Sequence, residues 1–208
     1  MPYEKFRILE STGVPLEIEN VDTDQIIPAR FLKATERIDF DKNLFRDWRY
    51  NQDNTLKKDF VLNNKNYSGK VLVAGKNFGS GSSREHAVWA IYDYGFRCVI
   101  SSFFADIFKN NCLNIGVLPV QISADFLQMI FNSIKNKPKT KIKINLITQE
   151  VSIFGISHKE NFEINPYKKE NMMNGFDDID FLLNMKSEIK NFAAKRPFWN
   201  ELFGKQLY

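Results

Sequence analysis

Between residues 70 and 120 the chain alternates short apolar runs with segments whose apolar side chains recur at helical spacing. This alternation limits the fold more than any other feature. Lys70-Val71-Leu72-Val73-Ala74 has the length and branching of a buried strand. Residues 84–94 then place Ala87, Val88, Ile91 and Tyr94 on one helical face, with Gly95 as a stop. Cys98-Val99-Ile100 reads as the next strand, residues 103–113 as a helix, and Gly116-Val117-Leu118-Pro119-Val120 as a third strand. Strands separated by helices run parallel, so the expected core is α/β.

The flanking segments are plainer. Residues 6–18, with turn formers Gly13 and Pro15, read as short strands. Pro28 biases Ile27 away from helical backbone and limits any helix starting near Asp24. Residues 33–65 are polar and aromatic by turns and suggest a long excursion over the surface. Residues 124–134 are helical by spacing. Residues 141–146 alternate at period two, as a half-exposed strand does, with residues 151–154 as the pairing strand. The lysines of residues 135–143 fit a solvated turn and strand edge. From about residue 163 a helical tail follows, amphipathic over residues 177–183 and ending in Phe192, Phe198, Trp199 and Phe203. One domain spanning residues 1–208 is expected.

Composition excludes several classes. A chain of 208 residues, 43% hydrophobic and 14% aromatic, can bury a core without disulfides or metals. A net charge of +4 does not mark a nucleic-acid binder. No apolar stretch reaches the roughly 20 residues of a membrane span, and the first residues lack the apolar centre of a signal peptide. Cys98 and Cys112 are far apart and sit in apolar surroundings. They form neither a disulfide framework nor a redox pair, and they fit buried thiols in a reducing compartment. A cytoplasmic protein with no membrane or nucleic-acid partner is expected.

The chemistry concentrates in Asn77-Phe78-Gly79-Ser80-Gly81-Ser82-Ser83-Arg84-Glu85-His86, which runs from a strand end to a helix start. Ligands bind at such points in α/β sheets. Gly79 and Gly81 allow unusual backbone angles and close approach, and a helix N-terminus offers free N–H groups to an anion. Ser82 through Glu85 also fits a capping box, a purely structural reading. A nucleotide loop fits poorly: the Walker lysine and the third glycine of the dinucleotide fingerprint are missing.

Gly-Ser-Gly-Ser-Ser-Arg-Glu-His resembles the signature of the swivelling domain of aconitase-type hydro-lyases. Residues 20–33 and the segment Leu44-Phe45-Arg46-Asp47-Trp48-Arg49-Tyr50 are similar to stretches of the 3-isopropylmalate dehydratase small subunits within that superfamily. The likeness covers about residues 6–200. It implies a three-layer β/β/α swivelling domain and a reaction that interconverts 2- and 3-isopropylmalate, in leucine biosynthesis, by loss and return of water. It also implies a partner, the large subunit of the enzyme. That subunit would carry the four-iron, four-sulfur cluster, because two cysteines in this chain cannot hold one. No metal site or bound cofactor is expected here.

The resemblance implies roles residue by residue. Ser82 is the base that takes a proton from carbon, and Asp24 pairs with a histidine of the cluster-bearing chain. Arg84 binds a carboxylate of the hydroxydiacid, supported by Ser83, and Arg30 meets the second carboxylate. Gly79 and Gly81 shape the loop, and His86 is an orienting hydrogen-bond partner. Ile26, Ile27, Phe31 and Leu32 are candidates to receive an isopropyl group. If the Ser82 pKa must fall by about six units, roughly 8 kcal/mol is required, and a helix N-terminus supplies at most ~2 kcal/mol. Loop N–H groups, Arg84 and a partner must therefore contribute, so the lone chain should be inert. Rival readings are a small subunit of a homoaconitase or citraconate hydratase type, a non-catalytic scaffold subunit, and a stand-alone anion- or phosphate-binding module.

Overall fold

The computed structural model describes residues 3–32, 40–81 and 84–195. Seven strands form one mixed sheet: β1 (Ile8–Leu16), β2 (Val71–Ala74), β3 (Cys98–Ser101), β4 (Leu118–Gln121), β5 (Lys141–Asn145), β6 (Glu150–Ile153) and β7 (Lys159–Asn161). Their order is β4-β3-β2-β1-β5-β6-β7. Strands β1 to β4 are parallel, and β5 to β7 extend the sheet in antiparallel fashion.

Strand β1 belongs to both halves. Its first five residues pair with β5 and its last four with β2. One nine-residue strand thus replaces the short strands expected from Gly13 and Pro15. Gly13 is not a turn. A Cβ there would stand 3.1 Å from Ile134 and Ile142, so glycine lets the core close over the strand. Pro15 lies past the last β5 partner, where β1 has a ladder neighbour only on the β2 side, and its missing N–H breaks nothing.

Nine helices accompany the strands among the described residues: α1 (Thr23–Ile26), α2 (Phe40–Asn43), α3 (Arg46–Arg49), α4 (Glu85–Asp93), α5 (Asp106–Ile115), α6 (Ala124–Asn136), α7 (Pro166–Asn174), α8 (Asp178–Asn184) and α9 (Lys186–Ala194). The parallel strands are buried on both faces, as their unbroken apolar runs require. Leu72, Ala74 and Val99 pack with Val88 and Ile91 of α4 and Phe108 and Cys112 of α5. Val71, Val73, Cys98 and Ile100 face the other way, toward Ile130 and Ile134 of α6 and Ile142, Ile144 and Val151 of the antiparallel strands. Helices α4 and α5 on one face, and the antiparallel strands with α6 sharing a core with the other, give the β/β/α layering implied by the resemblance.

Two expectations need correction. Residues 40–49 do not merely cross the surface: Phe40, Leu44 and Phe45 are fully buried and join the first core. Phe40 packs against the rings of His86 and Trp89, and Phe45 stacks on Trp48. Here the apolar spacing was too short to register as an amphipathic helix, since α2 and α3 have four residues each. Nor is β5 an edge strand, because it lies between β1 and β6. Its lysines tolerate the interior of the sheet by pointing outward, and Lys143 meets its register partner Glu10 at 3.0 Å. The tail is helical as expected, with Ile179, Leu182 and Leu183 exposed on α8. Phe198, Trp199 and Phe203 lie outside the described residues. Among the described residues no helix is long and apolar enough to cross a membrane.

Candidate active site

The site grows from the carboxyl ends of β1 and β2. Beyond the sheet the two chains keep pairing. Asn20 N–H donates to the Lys76 carbonyl at 2.8 Å, and Asn77 Nδ2 to Asn20 Oδ1 at 2.9 Å. The N–H groups of Gly79 and Ser80 both donate to the Val21 carbonyl, at 2.8 and 3.2 Å, and Thr23 N–H returns a bond to Ser80 at 2.9 Å. The connection after β3 joins them through Phe78 N–H to Phe103 at 3.2 Å and Ala105 N–H to Phe78 at 3.3 Å. Three parallel strand ends therefore converge on one loop cluster.

Gly79 has φ +79°, and a Cβ on it would stand 2.1 Å from the Phe108 ring. Only glycine fits both the angle and the space. Gly81, at φ +89°, meets nothing closer than 3.4 Å, so the angle alone selects it. The expected anion cradle is corrected in one respect: the N–H groups of Gly79 and Ser80 already serve Val21 and do not face a ligand.

Asp22 and Asp24 divide two tasks. Asp22 is the N-cap of α1 and forms a capping box with Gln25, whose Oε1 accepts the Asp22 N–H at 2.9 Å. The helix ends at Ile27, extended before Pro28, as the proline dictates. With the cap filled by Asp22, the Asp24 carboxylate turns to Arg84. Both of its oxygens accept from the guanidinium, Nη2 to Oδ2 at 2.7 Å and Nη1 to Oδ1. The Arg84 hydrogen bonds hold the Asp24 carboxyl below the usual carboxylate range, against the opposing effect of burial.

Arg84 is the N-cap of α4 in extended backbone, and its side chain makes no cap bond. The cap expected at Ser82 is therefore displaced, because the helix begins only at Glu85. Ser82 and Ser83 lie outside the described residues. A cation at a helix N-terminus is opposed by the dipole, and Asp24 is the anion that offsets it.

A cavity of about 250 Å³ opens beside this pair, lined by Thr23, Gly79, Gly81 and Arg84 on one side and by Ala105, Asp106, Phe108 and Asn111 on the other. The second wall is the first two turns of α5, whose N-cap Ala105 has no side-chain bond to offer. The cavity thus lies at two helix N-termini, which favour an anion, while the Asp106 carboxylate in its wall opposes one. Sequence reasoning missed Asp106 and Asn111 because it started this helix three residues early. The signal was a second strand-to-helix switch, directly after β3.

Other candidates lie elsewhere. Arg30 makes a two-pronged ion pair with Asp47 and lines a separate cavity of about 710 Å³ with Arg46, Tyr50 and Lys57. The structure does not bring it into the Arg84 cavity. Ile26 and Ile27 are fully buried and face the core, whereas Phe31 and Leu32 are half-buried. The ring of His86 packs against Phe40 and Trp89. Among the described residues no three His, Cys, Asp or Glu side chains gather as metal ligands. Burial raises the thiol pKa of both Cys98 and Cys112. Both are free cysteines, and two thiols fall short of the set that ligates a four-iron cluster.

Comparison with known proteins agrees with this picture. Residues 3–125 match the aconitase C-terminal domain. The chain is 60% identical over 195 residues to the 3-isopropylmalate dehydratase small subunit of Cytophaga hutchinsonii, covering 94% of this chain and 97% of that one. It is 54% identical to the corresponding subunit of Karelsulcia muelleri, over 94% of this chain and 99% of the other. The crystal structure of 3-isopropylmalate dehydratase from Methanocaldococcus jannaschii superposes with a TM-score of 0.65 at 27% identity, covering 89% of this chain and 99% of that one. The chain therefore belongs to the aconitase C-terminal domain family, among the small subunits of 3-isopropylmalate dehydratase.

Proposed function

We propose that this chain forms, with a cluster-bearing large subunit, a cytoplasmic hydro-lyase that interconverts 2- and 3-isopropylmalate. The observation that carries the proposal is the Arg84–Asp24 pair at the mouth of a cavity walled by the glycine loop and the first turn of α5. It occurs in a chain that matches small subunits of that enzyme over nearly its whole length.

The chain's own residues divide the labour. Arg84 takes a carboxylate of the hydroxydiacid, because its planar fork matches the two oxygens with parallel hydrogen bonds. Ser82 and Ser83 precede Arg84 directly; Ser82 accepts the proton from carbon and Ser83 supports the substrate. The first turn of α5 adds uncapped N–H groups to the same anionic region. Asp24 pairs with a histidine of the large subunit in the assembled enzyme. The iron–sulfur cluster belongs on the large subunit, since the two cysteines of this chain are too few to hold it.

Co-expression with a large subunit tests the assignment. The assembled pair should dehydrate 3-isopropylmalate, and the lone chain should not. Ser82→Ala should lower kcat of the pair by about 10²–10⁴-fold, the range for loss of a positioned acid–base group, with assembly intact. Turnover by the lone chain, or a Ser82→Ala pair within a few fold of wild type, would reject the proposal. Tight nucleotide binding by the lone chain would favour an anion-binding module instead.

A further inference from the structure

We propose that Asp24 is an internal occupant of the Arg84 fork, so that the isolated chain keeps its own carboxylate site closed until Asp24 is drawn away. The inference rests on the reading of Arg84 as a substrate carboxylate ligand. Its basis is geometric. The Asp24 carboxylate sits on Arg84 as a substrate carboxylate would, with one oxygen on each terminal nitrogen. A guanidinium edge offers that two-pronged arrangement to one carboxylate at a time. While Asp24 is bound, a diacid in the neighbouring cavity meets a neutralised arginine.

The pair is also built to open from one side. The Arg84 side chain is 14% exposed and the Asp24 side chain 52%. The arginine is walled in, and the carboxylate stands at the rim. Asp24 is not needed to start its own helix, because Asp22 and Gln25 supply the capping box. Moving the Asp24 side chain leaves α1 capped. A cationic group presented by the large subunit would reach the exposed carboxylate first, capture it, and free Arg84 for the substrate. Assembly and opening of the site would then be one event.

The test uses the isolated full-length chain and 3-isopropylmalate as the probe in titration calorimetry. Asp24→Asn keeps the shape and removes the competing charge. We expect it to bind at least about tenfold tighter than wild type, equivalent to ~1.4 kcal/mol, and expect Asp24→Asn/Arg84→Gln to lose that gain. Asp24→Ser serves as a second variant. Labelling of Arg84 by phenylglyoxal, read by mass spectrometry, should be slow in wild type and faster in both variants. Equal affinity and equal labelling in wild type and variants would overturn the proposal. The KM of the assembled Arg84→Gln enzyme separates the two ideas. If it is unchanged, Arg84 is not the carboxylate ligand and the underlying reading fails. If it rises while the lone variants gain nothing, only the internal occupancy of the fork is wrong.

Discussion

Arg84 and Asp24 are separated by 60 positions in sequence and meet through two parallel hydrogen bonds at the rim of one cavity. The contact links a one-turn helix after β1 with the start of the helix after β2. It is the outermost rung of a ladder that continues the β1–β2 pairing past the sheet.

Replacing Arg84 by lysine keeps the charge and removes the fork. Hydrogen bonds to charged groups are worth about 1.5–3 kcal/mol, so kcat/KM of the assembled enzyme should fall about 10- to 100-fold. Stability should change by less than about 1 kcal/mol, because the partner carboxylate is half exposed and screened. Steady-state kinetics and a thermal melt on the same preparation check both. A large melting shift with intact turnover would make the arginine a structural residue only.

The two loop glycines should differ in sensitivity. Gly79→Ala combines a left-handed backbone with a methyl group 2.1 Å from Phe108, and should cost about 2–4 kcal/mol. Gly81→Ala meets only the backbone penalty, since its nearest neighbour is at 3.4 Å, and should cost about 1 kcal/mol. Urea denaturation of both variants tests the order. Equal losses would mean that the Phe108 ring moves aside freely.

Three aspartate ion pairs contribute to acid stability. Hydrogen bonds from Arg84, Arg30 and Lys168 lower the carboxyl pKa of Asp24, Asp47 and Asp178 respectively. A carboxyl group depressed in the folded state stabilises it at pH above the unfolded value, and the contribution disappears as pH falls through the folded value. These pairs should therefore add stability from neutral pH down to the ordinary aspartate value of 3.8 and lose it below. All three carboxylates are more than half exposed, so the total is modest. Denaturation midpoints across acid pH should show the loss, and Asp24→Asn should make its part of the profile flat.

Cys98 and Cys112 are both fully buried, and burial raises their pKa. In the native chain neither should react readily with a thiol reagent at neutral pH, and both should react after unfolding. A chelator should leave the melting temperature of the lone chain unchanged. Rapid native labelling, or chelator-sensitive melting, would show that a thiol serves a metal or a redox step.

The parallel core was legible because each element carried its own pattern. Residues 71–74, 98–101 and 118–121 are short apolar runs, and α4 and α6 show helical spacing within single segments. Features that depend on distant neighbours were not. Pro15 and Gly13 look like turn formers until β5 and α6 are in place beside β1. Phe40 and Phe45 look like surface aromatics until α4 and Phe60 pack on them. At the site, Arg84 and Asp24 were picked out by resemblance. That they meet each other needed the fold. The pairing of Arg30 with Asp47, 17 residues away, likewise needed the fold.

The Val21 carbonyl accepts from both Gly79 and Ser80, and this has a consequence for redesign. Neither loop is a cassette. An engineer who transplants only residues 20–24 from a relative, hoping to change which diacid is accepted, would leave two amides of the other loop without their acceptor if the incoming backbone shifts even slightly. Selectivity in this scaffold would have to be exchanged as a matched pair of segments, together with the opening turn of α5 that forms the facing wall.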